Sequence, residues 1–329
     1  MRFLLVALLL LARPMLALDC GGTDLLTTMP ESERAALEAR AERTPHGHGL
    51  LWQAMKDNTR FTIFGTYHLP HERTEAHLDA LLPRARAADI AYFEMNAPDA
   101  QDFERRAATQ PGVIFIAEGP TLPDRLEEDE WQELRRQMAA RGFPAFMTAK
   151  MRPVFVSMML GLSPCGLKQQ QSGAKGIDGR LARTLHDEGH ATRSIEDPMT
   201  PLRIFDAFPP DTQLDMIRLA LDMEIDPEDM GTTLLDAYLR QEIALIWELG
   251  RKISLDHGGP GAEEDFALFE RVLLTERNHD WAETLLADAA DTPGQNAFVA
   301  VGAAHLMGES GLLRRLERAG YTITPLPFD

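Results

Sequence analysis

Only two of the 329 residues are cysteines, so a disulfide-stapled small scaffold is excluded. No Lys/Arg cluster exceeds a dipeptide, and 33 basic residues face 51 acidic ones for a net charge of −18. Such a surface repels nucleic-acid phosphates and anionic lipid, which argues against both as partners. No Gly-rich phosphate loop and no Gly-x-Ser-x-Gly elbow occurs, which leaves nucleotide use and α/β-hydrolase chemistry unsupported. Beyond the first residues no apolar run approaches the roughly 20 residues that span a bilayer, and no Ser/Gly or charge-run linker divides the chain. What is present is 44% hydrophobic residues, enough at this length to bury a sizeable core. The composition points to a small molecule, a metal or another protein as partner.

The first residues form a separate unit. Met1-Arg2 supplies positive charge, Phe3 to Ala12 is an apolar run, and Arg13-Pro14 and Ala17 follow. Together they read as a signal peptide over 1–17, cleaved near Ala17, with an uncleaved anchor as the minor alternative. Asp19 is an unfavourable neighbour for a lipid anchor on Cys20. The remainder, 18–329, is expected to be one domain without a transmembrane segment. Export favours pairing Cys20 with Cys165 in a disulfide; two buried free thiols too far apart to bond are the competing arrangement.

Periodicity predicts helices over 30–43, 123–141, 145–160, 227–251, 262–274 and 276–290, each with apolar residues at three- and four-residue spacing or a helix-opening proline. Strands are expected at 61–64, 90–94, 298–301 and 321–325, with weaker candidates at 113–117 and 192–195. The Gly/Pro-rich stretches 161–179 and 257–261 read as loops. The two ends resemble each other: Phe61-Thr-Ile-Phe-Gly65-Thr-Tyr-His68-Leu69 aligns without gaps on Phe298-Val-Ala-Val-Gly302-Ala-Ala-His305-Leu306. In each copy a helix candidate (72–88; 309–319) and a second strand follow. The expected fold class is therefore α+β with an α/β-like core: a small mixed sheet built from two β-loop-α-β repeats at the chain ends, and a large helical middle over about 100–290. Repeats of this kind pack about a pseudo-twofold axis and bring their loops into one crevice.

That packing would bring His68 and His305 together although 237 positions separate them. Each follows a Gly at the end of a strand, where α/β folds collect functional groups. Glu94 interrupts the apolar strand Ala91-Tyr-Phe-Glu94 at its carboxyl end, and a carboxylate there needs a partner or a metal to offset desolvation. Two neutral imidazoles and one carboxylate form a divalent-metal ligand set with positions left open, as in catalytic sites. Arg277, in Arg277-Asn278 at the start of a helix candidate, can bind a substrate carboxylate or an oxyanion. His186-Asp-Glu-Gly-His190 is a weaker candidate, because Gly189 ends a helix between its imidazoles. His46-Gly-His48 is a loop with no carboxylate neighbour in sequence.

Leu50-Leu-Trp52, Phe64-Gly-Thr-Tyr-His68, Phe93-Glu94, Lys150-Met-Arg-Pro153, Ser194-Ile-Glu196, Glu276-Arg-Asn278 and Phe298-Val-Ala-Val-Gly-Ala-Ala-His305-Leu-Met-Gly308 resemble the TraB/GumN family in its exported bacterial branch. The resemblance implies a mixed sheet flanked by helices, shared with Tiki proteases, erythromycin esterases and ChaN-like haem-binding proteins. In the Tiki branch the two Gly-x-x-His motifs, an acidic residue and an arginine form a metal-dependent active site associated with manganese or cobalt. Carried over by motif, those roles fall on His68, His305, Glu94 and Arg277. This chain departs from the Tiki pattern in lacking a carboxy-terminal anchor and in its middle. The expectation is a periplasmic hydrolase using Mn, Co or Zn on a peptide or small-molecule substrate. Glu94 would be the third ligand or the general base, and Arg277 would meet the developing negative charge. The alternative is a non-catalytic protein binding haem, metal or a signalling peptide in the same crevice.

Overall fold

The computed structural model describes residues 20–200, 203–204 and 207–328. The expected signal peptide, 1–17, lies outside the described residues. Six strands form one mixed sheet in the order β4-β3-β5-β2-β1-β6. They are β1 Leu51–Lys56, β2 Thr59–Thr66, β3 Ile90–Phe93, β4 Thr192–Ser194, β5 Asn296–Gly302 and β6 Thr322–Pro325. The fold is α+β, with helices making up most of the rest of the described chain.

The two repeats meet at the centre of the sheet, where β2 and β5 pair in parallel. Their register sets Phe61 against Ala297 and Thr62 against Phe298, so the aligned phenylalanines are one residue out of step. Side chains alternate across a strand, and a one-residue offset sends equivalent residues to opposite faces. Phe61, Ile63, Val299 and Val301 accordingly pack on one face with Leu312, Leu313 and Leu316 of helix Leu312–Arg318. Phe64, Phe298 and Ala300 pack on the other with Leu78, Leu81 and Ala85 of helix Glu75–Arg86. The helix of each repeat thus covers a different face, and both loops open at the carboxyl ends of β2 and β5, where the chain direction divides.

Several elements differ from the sequence expectation for local reasons. Strand β1 escapes notice because its apolar positions are mixed with Gln53 and Lys56; it is closed onto β2 by a turn with Asp57 in the left-handed region. The weak strand at 113–117 is instead a 3-10 turn, Pro111–Val113, with a single bridge from Phe115 to Met151. The stretch 161–179 is not a loop throughout. Ser163 caps helix Pro164–Gln171 with its hydroxyl and Pro164 opens it. The 145–160 helix divides into Ala145–Thr148 and Pro153–Leu160, since Pro153 lacks the N–H to continue it. The 227–251 helix divides at Gln241, φ +64°, into Pro227–Leu239 and Ile243–His257. Helix Ala262–Glu270 runs through a π segment, Arg271–Thr275, straight into Glu276–Asp291. Helices Ala97–Thr109, Ile177–Asp187 and Pro210–Asp222 are additional.

Cys20 and Cys165 form a disulfide, Cα–Cα 5.5 Å, across a sequence separation of 145. Among the described residues no helix is long and apolar enough to cross a membrane.

Candidate functional site

The two glycines of the repeated motif admit each other's loops. A β-carbon on Gly65 would stand 2.9 Å from the Cα of Ala303. One on Gly302 would stand 2.8 Å from His68 Nε2, 3.1 Å from Glu94 Oε1 and 3.5 Å from His305 Cδ2. The absent side chain of Gly302 therefore makes the space in which His68, Glu94 and His305 come together.

Glu94 follows the last residue of β3, with its side chain 18% exposed. Its Oε1 accepts the Gly302 N–H at 2.6 Å and lies 3.7 Å from His68 Nε2, while its Oε2 accepts from Arg277 Nη2 at 2.8 Å. Burial pushes this carboxyl up, but the neighbouring imidazoles of His68 and His305, the Arg277 guanidinium and the Gly302 N–H outweigh it and hold the pKa at about 2.

Arg277 projects from the first turn of helix Glu276–Asp291, directly after the π segment, a feature found frequently at functional sites. Its Nε and Nη2 donate to Glu196 at 3.0 and 2.7 Å, and its Nη1 approaches His305 Nε2 at 3.0 Å. The Trp281 ring lies against the guanidinium at 4.6 Å and against the His305 ring at 4.3 Å, and the Trp281 Nε1–H donates to Glu196 at 3.0 Å. Burial raises the Glu196 carboxyl above its ordinary range, opposed by Arg277.

The two imidazoles are in opposite electrostatic situations. His305 is 4% exposed, and burial drives its pKa down to about 3 against the pull of Glu94. The ring is thus neutral at ordinary pH. Since Arg277 has only donors to offer, His305 Nε2 carries the lone pair and its Nδ1–H donates to Asn278 Oδ1 at 2.7 Å. The Asn278 amide is oriented in turn by Nδ2 donating to the Ser310 carbonyl at 3.1 Å. His68 is 53% exposed, so desolvation disfavours its charged form only in part; Asp178, whose Oδ2 lies 3.0 Å from Nδ1, and Glu94 overcome it and push the pKa up to about 9.

Among the described residues no group of three or more His, Cys, Asp or Glu side chains is arranged to hold a metal ion. The Arg277 guanidinium instead takes the His305 lone pair and one Glu94 oxygen. The donor chemistry nevertheless fits one. Both imidazoles commit Nδ1 to an oxygen acceptor, the outer-shell pattern of metal-binding histidines, while His68 Nε2 faces Glu94 and His305 Nε2 meets Arg277.

The structure therefore brings His68, His305, Glu94 and Arg277 into one crevice. It also adds Asp178, Asn278, Glu196 and Trp281, to which the sequence reading gave no role. Asp178 sits in the first turn of helix Ile177–Asp187, where an acid reads as an ordinary helix-start residue. Two weaker histidine candidates lie elsewhere. His186 and His190 are separated by the end of that same helix, with Gly189 at φ +79°. His46 packs on Trp52 and does have a carboxylate neighbour, Glu317, at 3.2 Å.

Comparison with known proteins finds metalloproteases among the similar chains. Human Metalloprotease TIKI1 is 22% identical over 355 residues, which cover 92% of this chain and 68% of that protein. Metalloprotease TIKI1 of Danio rerio is 20% identical over 320 residues, covering 85% and 63%. Metalloprotease TIKI2 of Danio rerio is 20% identical over 312 residues, covering 80% and 58%. The chain thus spans about two thirds or less of the length of these relatives. The model of the TraB/PrgY/gumN family matches residues 50–325, and the chain belongs to that family.

Proposed function

We propose that this protein is an exported metal-dependent hydrolase acting on peptides. In this reading His68, His305 and Glu94 are the ligands of a divalent ion, and Arg277 is the group that meets developing negative charge. The observation that carries it is the arrangement of the two imidazoles, each tethered at Nδ1 by an oxygen acceptor and both next to the space over Gly302. The metalloprotease relatives support the same reaction class. The disulfide supports an oxidising compartment, with the periplasm as the proposed location.

A bound Mn²⁺, Co²⁺ or Zn²⁺ supplies Lewis acidity toward a carbonyl and an acidified water. Asp178 and Asn278 keep the Nδ1–H bonds that leave Nε2 of each ring for the ion. Glu94, ionised down to a pH of about 2, suits a ligand and counter-charge better than a proton acceptor, so the ligand role is preferred over the general base. For His305 to ligate, Arg277 must give up its bond to Nε2, which frees Nη1 to face a substrate oxygen.

The test is metal analysis together with peptide and ester turnover in the presence of Mn²⁺, Co²⁺ or Zn²⁺. His305→Ala is expected to lose both metal uptake and hydrolysis. Unchanged metal content in that variant would overturn the ligand assignment, and saturable binding without product would favour the non-catalytic alternative.

A further inference from the structure

Thr66 ends β2, is 3% exposed, and its Oγ1 has no hydrogen-bond partner among the described residues. A buried hydroxyl without a partner is destabilising, and such groups in folded proteins call for an explanation. Strand geometry does not supply one. Valine has the same branched shape, suits a strand equally and carries no polar atom.

The position of Thr66 suggests what the hydroxyl serves. Thr66 pairs in register with Gly302 across the parallel β2–β5 ladder. Paired residues present their side chains to the same face, about 5 Å apart. On that face the space beside Gly302 holds His68 Nε2 and Glu94 Oε1. The Thr66 side chain is therefore on the crevice face of the sheet, one strand spacing from the position that His68 Nε2 and Glu94 Oε1 adjoin. Of the other buried polar atoms without a hydrogen bond, Arg34 Nε pairs with Glu38 at 3.4 Å and His77 Nδ1 belongs to a ring that packs among Phe64, Tyr238 and Phe328.

We propose that Thr66 is a catalytic residue whose Oγ–H donates a hydrogen bond to the reacting carbonyl oxygen of the substrate. The proposal rests on the hydrolase reading above and adds a second donor to Arg277. Oγ1 is closed off from solvent in this structure, so substrate entry must uncover it; a neutral donor fixed to a strand end then needs little reorganisation, which is what makes such donors effective.

The experiment compares wild type, Thr66→Val, Thr66→Ser and His305→Ala for peptide turnover, metal content and thermal denaturation. Thr66→Val is expected to lower kcat by roughly 100-fold with KM little changed, to retain its metal, and to melt at or above the wild-type temperature because an unpaired polar group has been removed. Thr66→Ser should recover most of kcat. Wild-type kcat in Thr66→Val, or a fall in kcat that tracks a fall in melting temperature, would overturn the assignment while leaving the hydrolase reading intact. Wild type inactive on every substrate would sink the hydrolase reading and this assignment with it.

Discussion

On the proposed metal reading, the opposite charge states of the two histidines make metal uptake depend on pH in a specified way. His68 is protonated up to a pH of about 9, so an ion that binds its Nε2 must displace that proton. His305 is neutral above about 3, and Glu94 is ionised above about 2, so neither adds a proton to the competition near neutrality. Apparent affinity should therefore rise about tenfold per pH unit through the neutral range and level off as His68 loses its proton. With the midpoint at about 9, affinity at pH 7 lies roughly 100-fold below the plateau. Solvent reaching the half-exposed ring weakens the attraction of Asp178, which moves the midpoint down without changing the one-proton slope. The assay is competition with a chelator of known affinity for Mn²⁺, which stays soluble over pH 6–8.5. His68→Gln should flatten the dependence. A flat wild-type profile, or a two-proton slope, would refute the assignment of charge states.

Other perturbations test the surroundings of the site. Glu196→Gln keeps the shape but removes the buried charge that takes two bonds from Arg277 and one from Trp281; a loss of about 2–4 kcal/mol in urea denaturation is expected, and less than about 1 would mean the pair is not structural. Gly302→Ala forces a methyl to within 2.8 Å of His68 Nε2 and should abolish metal uptake while far-ultraviolet circular dichroism stays native. Replacing Cys20 and Cys165 together by serine opens a loop of 145 residues and should cost about 5 kcal/mol by the chain-entropy relation, read as a fall in the denaturant midpoint.

Local repetition made part of this site legible in the sequence. Two Gly-x-x-His motifs can be aligned by eye, and the pairing of β2 with β5 follows from treating them as copies. Glu94 stands out as a charge at the end of an apolar strand. The supporting groups are different in kind. Asp178 reaches His68 across 110 positions from a helix hidden inside a Gly/Pro-rich stretch, and Glu196 meets Arg277 across 81. Asp178 has no local pattern that separates it from other acidic residues in a strongly acidic chain, and the Ser194-Ile-Glu196 motif marks Glu196 without giving it a role. Strand β1 was missed for a related reason: its polar positions become strand only when β2 and β6 pair on either side.

The one-residue offset between the repeats has a mechanical meaning. Each histidine loop is anchored by its own helix on its own face, one by Leu78 and Leu81, the other by Leu313 and Leu316. The two act as separate lever arms meeting at a common tip. Loosening one face, by Leu81→Ala, should displace His68 while His305 stays fixed, and Leu313→Ala should do the reverse. Sequence drift in either core can then retune the gap between the imidazoles without altering a residue of the site, giving relatives with the same motifs a route to different ions or substrates.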